Sequence, residues 1–302
     1  MDLKISGKKC SGKTNPAVVK AAAALDALYE QYNHRRFIGD DPLQFVYKYT
    51  DPADMEAAGF FASALAYGRV QQISKSLERL FSIMGESPAG FIRNFTDADR
   101  RRLAGFKHRF NTGEDIADLS VLLKGVIKKH GSIEGYFVSG YSDSDISILP
   151  ALTKFCEGLT SSYRRRHKGN VSRGLKYLLA SPAGKSACKR FNLFLRWMVR
   201  DDDVDAGVWK SVDKSKLIVP VDVHMARLCG IMGFHRSTTA NLKTAVEITE
   251  NFAKIDPSDP VKYDFALSRI GIIENCNGKL NDRCPVCKLY EYCILREKSE
   301  NR

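Results

Sequence analysis

Four cysteines, Cys276, Cys284, Cys287 and Cys293, stand close together near the end of the chain with the spacing C-x7-C-x2-C-x5-C. Thiolates are ligands for zinc and for iron–sulfur clusters, and four in one short stretch can close a tetrahedral set. Zinc ribbons commonly present two C-x-x-C knuckles. Here there is one, Cys284 to Cys287, and that asymmetry favours a [4Fe–4S] cluster, with zinc as the alternative. Lys279, Arg283, Lys288 and Arg296 surround the set. A cluster so placed is expected to pin a basic loop rather than relay electrons. The other four cysteines, Cys10, Cys156, Cys188 and Cys229, are scattered and read as small buried hydrophobes.

A second candidate lies in Ile218 to Leu228, I-V-P-V-D-V-H-M-A-R-L. Pro220 excludes a helix interior, and aspartate is a favoured N-cap, so Asp222 is expected to cap a helix beginning at Val223. The amides and dipole of a first turn hold such a carboxylate ionised. A lone aspartate in that place can be a purely structural cap. His224 is expected to be a structural hydrogen-bonding residue.

Asp222 does not stand alone. The segment V-D-x-H-x-x-R-L at 221–228 is followed by G-x4-C-x7-C-x2-C-x5-C from Gly271 to Cys293. Together they resemble the endonuclease III branch of the helix-hairpin-helix DNA glycosylases. That branch carries its catalytic aspartate in V-D-T-H-x-x-R-V and follows it with a four-cysteine iron–sulfur loop, usually with x6 in the first gap. Its bifunctional members use a lysine in a K-T-A-N-V-V-L-like segment. Lys189-Arg190-Phe191-Asn192-Leu193-Phe194-Leu195 is similar, with Asn192 in the matching place. The resemblance makes Lys189 the inferred nucleophile and Lys185, one helical turn earlier, its rival. The L-P-G-V-G hairpin that usually precedes the lysine is replaced by Leu179-Ala180-Ser181-Pro182-Ala183-Gly184-Lys185-Ser186, which alters the backbone grip on phosphate. The long gap between Lys189 and Asp222 and the Ile-Val-Pro-Val-Asp reading are similar to archaeal 8-oxoguanine glycosylases. Residues Pro182 to Asp264 also resemble an uncharacterised bacterial family known only as a domain of unknown function. Upstream, Ser63-Ala64-Leu65-Ala66 is faintly similar to a strand-probing S-A-Q-A segment, with Arg69, Gln71 and Gln72 as substitutes for the missing glutamine.

The resemblance implies a base-excision-repair DNA glycosylase with AP lyase activity, acting on double-stranded DNA that contains a damaged base. The base would be oxidised, with an 8-oxoguanine-like purine favoured by the long insert. Such an enzyme flips its target out of the stack. Lys189 would attack C1′ and form a Schiff base, while Asp222 assists its deprotonation and stabilises the oxocarbenium-like charge. DNA contacts are expected from Arg164, Arg165, Arg166 and Lys168, from Gly184, Lys185 and Ser186, and from Arg190 and Arg227. The Arg164 to Lys168 run reads equally as a solvated helix end. The competing reading of the whole chain is a non-catalytic nucleic-acid-binding iron–sulfur or zinc protein on the same scaffold.

The elements that must position these residues read as almost all helix. Apolar residues recur at helical spacing in Ala17 to Tyr32 (after an Asn15-Pro16 cap), in Met55 to Met84 with a break near Gly68, and in Ser120 to His130. The same holds for Asp145 to Tyr163, Ser186 to Val199, Asn241 to Phe252 and Tyr263 to Ile273. No convincing strand run appears, and Asp201-Asp202-Asp203 opens a polar connection to Lys216. The expected fold is all-α, with two helical domains flanking a DNA-binding cleft. Residues 1–50 would pack with the C-terminal domain, 51–200 would hold the hairpin-like lysine region, and 201–302 the aspartate and the cluster loop. At 302 residues, 44% of them hydrophobic, the chain can bury a core without disulfides. Its formal charge of +12 suits a polyanionic partner. No stretch is apolar enough to span a bilayer and no signal-peptide pattern opens the chain. A monomeric, cytoplasmic protein, nucleoid-associated through DNA, is expected.

Overall fold

The structure is a computed structural model that describes residues 16–39, 41–237 and 239–296. It is mostly helical, with 62% helix and 2% strand. The chain begins with α1 (Pro16–Lys20) and α2 (Ala22–Tyr32). The expected cap Asn15 lies outside the described residues. Then follow α3 (Pro52–Ala64), α4 (Val70–Met84), α5 (Pro88–Asn94) and α6 (Asp97–Leu103). The single interruption predicted near Gly68 is the α3–α4 junction, where Gly68 takes a φ of +105°, a conformation that favours glycine.

The all-α expectation holds, with one small addition. A two-stranded antiparallel hairpin, β1 (Lys107–His108) and β2 (Asn111–Thr112), follows α6. Two residues per strand carry no alternation, so the pattern had no signal to offer. The long α7 (Gly113–His130) starts well before Ser120, because Thr112 and Asp115 form a reciprocal capping box. Next come α8 (Ile133–Val138), α9 (Leu149–Arg166) and α10 (Arg173–Leu178). The last four helices are α11 (Lys189–Val199), α12 (Val223–Ile231), α13 (Leu242–Ala253) and α14 (Asp264–Ile273). No helix among the described residues is long and apolar enough to cross a membrane.

Helix α3 is the hub. All residues from Glu56 to Ala64 are buried, and it packs on α5, on α11 and on the 42–48 turn. Gly59 lets α11 approach, since a Cβ there would fall 2.8 Å from the Met198 Cε. The apolar face of α11, predicted from Phe191, Phe194, Leu195 and Met198, is buried as its spacing requires. Phe60 meets Phe191 and Phe194 edge to face at 6.1 and 5.4 Å. Glu56, buried in this core, is satisfied by the backbone N–H groups of Ile133 and Glu134 and by Trp209 Nε1. It thereby holds the N-terminus of α8. At the opposite end of the sequence α14 packs on α2 and α12. Asp26 on α2 accepts from Lys262 Nζ and from the Tyr263 hydroxyl, both at 2.9 Å, just before α14 begins.

Candidate active site

Helix α11 starts at Lys189, three residues later than the apolar periodicity predicts. Pro182 to Gly184 form a short 3-10 turn capped by the Ser181 hydroxyl. Lys185 and Cys188 then both adopt left-handed backbone, with φ of 60° and 48°. A helix cannot run through such residues, so its first turn is displaced to Lys189. The Gly184 N–H closes onto Ser181 O and the Lys185 N–H onto Pro182 O, at 3.1 and 2.8 Å. The Cys188 N–H is taken by the Ser186 hydroxyl. The Gly184 amide, expected to contact phosphate, is thus engaged within its own turn. Gly184 and the Lys185 side chain are exposed, and the Lys185 carbonyl accepts from the Leu242 N–H at the start of α13.

Asp222 is the N-cap of α12. Its Oδ1 accepts from the N–H groups of His224 and Met225, each at 2.9 Å. Its other oxygen, Oδ2, lies 2.9 Å from Lys189 Nζ. The first turns of two helices, from segments 33 residues apart in sequence, therefore meet at one ion pair. Lys189 occupies the first position of α11, at the end of the helix dipole that is adverse to a cation, and the Asp222 carboxylate offsets this. About a third of each side chain remains exposed, 34% for Lys189 and 32% for Asp222, so a ligand can reach both. Burial by itself would raise the Asp222 carboxyl. The Lys189 ammonium and the Met225 N–H outweigh it and hold the group below its ordinary value.

A second carboxylate, missed from sequence, stands behind this pair. Asp264, the first residue of α14, is buried against Arg196, and its charge is felt by both Asp222 and Lys189. The opposite wall of α12 meets the cysteine loop. Arg227 hydrogen-bonds His224 Nδ1 at 2.9 Å, and a Cβ on Gly278 would fall 2.6 Å from its Cδ. Gly278, at φ +79°, lets the loop pass that closely. Arg227 is therefore packed between α12 and the loop.

The cysteines of that loop are half-buried free thiols. Burial raises Cys287 and Cys293, and electrostatic coupling to the neighbouring cysteines of the loop raises both further. The four thus share one neighbourhood. The Asn281 N–H donates to Cys284 Sγ at 3.2 Å. Among the described residues no three His, Cys, Asp or Glu side chains converge closely enough to hold a metal ion. Four thiols in one loop offer the donor chemistry of a four-thiolate group.

The remaining predicted contacts are dispersed. Arg164, Arg165, Arg166 and Lys168 are exposed at the C-terminal end of α9. Of these, Arg166 and Lys168 border an open cavity of about 550 Å³, lined also by Tyr163, His167 and Asn170 to Ser172. Arg190 turns inward, donating to the carbonyls of Ala64 and Tyr177.

Residues 41–273 match the model of a family described as a protein of unknown function, DUF2400. The chain belongs to this DUF2400 family. The matched span contains Lys189, Asp222 and Asp264 and stops three residues before Cys276. No curated protein and no solved structure matches the chain. The match also reaches much further upstream than the resemblance over Pro182 to Asp264, and takes in the hub helix α3.

Proposed function

We propose that this DUF2400 protein is a DNA glycosylase with AP lyase activity, in which Lys189 is the nucleophile and Asp222 its acidic partner. The observation that carries the reading is the 2.9 Å contact between Lys189 Nζ and Asp222 Oδ2 at a partly open junction of two helix N-termini. Duplex DNA would bind across a cleft between two helical domains, and the exposed cations would hold its backbone.

Attack on C1′ requires the neutral amine. The proton leaves Lys189 for the carboxylate that already touches it. Because Asp222 is held below the ordinary carboxylate range, that transfer is uphill in the resting protein. The ion pair is then a waiting state, and the bound sugar must reorganise it. As the N–C1′ bond to the lysine forms and the glycosidic bond breaks, the departing base keeps the bonding electrons and takes up the proton that Asp222 received, which returns Asp222 to its ionised form. Ionised Asp222 stabilises the cationic sugar. Ring opening gives an imine, and loss of a C2′ proton then expels the 3′ phosphate. An oxidised purine is the favoured base.

Cys276, Cys284, Cys287 and Cys293 would hold a [4Fe–4S] cluster, whose part is to fix the basic loop against α12 and α2. Contacts from that loop support this, with Lys288 Nζ on the Ala27 carbonyl at 3.2 Å and Gly278 against Arg227. Protein purified without oxygen should absorb broadly in the visible and contain about four irons per chain. One zinc per chain, without iron, would overturn the assignment.

The activity is tested with duplexes that each carry one oxidised base, scored for base release and strand cleavage. Cleavage of an 8-oxoguanine duplex, abolished in Asp222→Asn, is expected. Binding without release of any base would favour the non-catalytic reading.

A further inference from the structure

The hairpin tip that the sequence pattern did not reveal carries an exposed ring. Phe110 sits in the two-residue turn between β1 and β2 and is 42% exposed, and Tyr177 on α10 is 37% exposed. Their centroids lie 4.6 Å apart, edge to face. Tyr67, from the α3–α4 junction, stands 5.4 Å from Phe110 and 4.9 Å from Tyr177. Three segments distant in sequence thus converge on one aromatic cluster.

The cluster is built rigidly. The Tyr67 hydroxyl is pinned to the hairpin at the His108 carbonyl and the Asn111 side chain, at 3.1 and 2.5 Å. His108, buried beneath, is held by the Ser76 hydroxyl and the Tyr67 carbonyl. Arg190 lies over Tyr177 at 3.9 Å and over Tyr67 at 5.4 Å, with its N–H groups fixed on two carbonyls. Arg109, whose side chain crosses Gly68, and Arg173 flank the rings at 5.9 and 6.0 Å. Arg69, Lys107, Arg109, Arg173 and Lys176 are all exposed on the same segments. The nearest acids in sequence are both engaged, Glu114 by Arg100 and Asp115 by Thr112 and Ser172.

We propose that Phe110 and Tyr177, framed by these arginines, form a stacking site for an unpaired nucleobase of a single-stranded polynucleotide. Flat rings set edge to face expose π-surface for a base, and the surrounding cations match phosphates on either side of it. The complementary charge selects an anionic polymer, and the rings select one that carries flat faces. Because the platform is fixed before binding, little ordering opposes association. The inference rests on the nucleic-acid part of the function proposed above and not on the lysine chemistry, since neither ring touches Lys189.

The test is fluorescence anisotropy with the full chain and an oligothymidylate of about a dozen nucleotides. The comparison ligand is an abasic oligomer of equal length. Wild-type protein should bind the oligothymidylate more tightly than the abasic chain. Phe110→Ala should weaken oligothymidylate binding by roughly 5- to 150-fold and leave abasic binding unchanged, while Phe110→Trp retains the preference. Loss on both ligands alike, or on neither, would overturn the stacking site. Duplex binding and cleavage together with no Phe110-dependent preference for oligothymidylate over the abasic chain would remove this site and leave the proposed function standing. Both fall together only if no polynucleotide binds.

Discussion

Helix α11 carries two ion-pair systems one above the other, and they are built on opposite principles. At its first turn a single lysine meets a single aspartate, each about a third exposed. Two turns later Arg196 and Arg200 are almost wholly buried among Asp202, Asp205, Asp259 and Asp264. Arg196 Nε reaches Asp205 at 3.2 Å, and Arg200 Nε forks onto both oxygens of Asp259 at 3.0–3.1 Å. The buried system ties α11 to α14 and to the loop after α11, and it is closed to any ligand. The exposed pair holds little of the fold and can be opened. Charge buried and multiply bonded secures structure, whereas charge paired once at an accessible helix junction can be opened without unfolding the chain.

The largest test of this contrast is Arg196→Met. It leaves Asp264 buried without its guanidinium partner and Asp205 with Arg200 alone, and should cost about 3–5 kcal/mol in urea unfolding. Asp222→Ala removes a cap and should cost about 1 kcal/mol, whereas Asp222→Asn keeps the cap and should stay within a few tenths of wild type. Equal losses for Arg196→Met and Asp222→Asn would erase the distinction between the two systems.

Acidity sharpens it further, because the two carboxylates respond with opposite sign. Two guanidinium groups face four carboxylates in the buried system, so negative charge is in surplus. Burial pushes Asp205 up to about 6, against the pull of Arg196 and Arg200. A raised acid is most stabilising when protonated, and its contribution is lost as pH rises through about 6. Asp222 is lowered, so its contribution is present above the ordinary carboxylate value and lost only as pH falls through the lowered one. Thermal melting between pH 5 and 7 should decline in wild type and be flatter in Asp205→Asn. Asp222→Asn should leave that slope unchanged. An unaltered slope in Asp205→Asn would show that the surplus charge is settled elsewhere in the network.

Much of the helical layout was legible because it is written in local periodicity: the face of α11, the break at Gly68, the cap at Asp222. These are decided within a turn or two of chain. What could not be read depends on distant partners. Asp201-Asp202-Asp203 looks like a solvated connection, yet Asp202 accepts from Tyr29 and Asn33 near the start of the chain, and Asp205 is buried on Arg196 and Arg200, which also hold Asp264 and Asp259. Asp264 reads as a polar residue opening a helix, and only the packing of α14 sets it behind Asp222. The start of α11 was misplaced because left-handed backbone at a lysine and a cysteine has no side-chain signature. The clustered rings of Tyr67, Phe110 and Tyr177 were invisible for the same reason as the aspartates, being drawn from three segments.

The central claim is that Lys189, held by Asp222, is the group that attacks the sugar. It is tested most directly by borohydride trapping on a duplex with an abasic site. Reduction of the imine should leave a covalent protein–DNA adduct in wild-type protein and in Lys185→Gln. In Lys189→Gln the adduct should be absent while DNA binding persists, since the pair it breaks is partly exposed and adds at most about 1 kcal/mol to the fold. An adduct that survives in Lys189→Gln and disappears in Lys185→Gln would contradict the account, moving the nucleophile off the helix junction and away from Asp222.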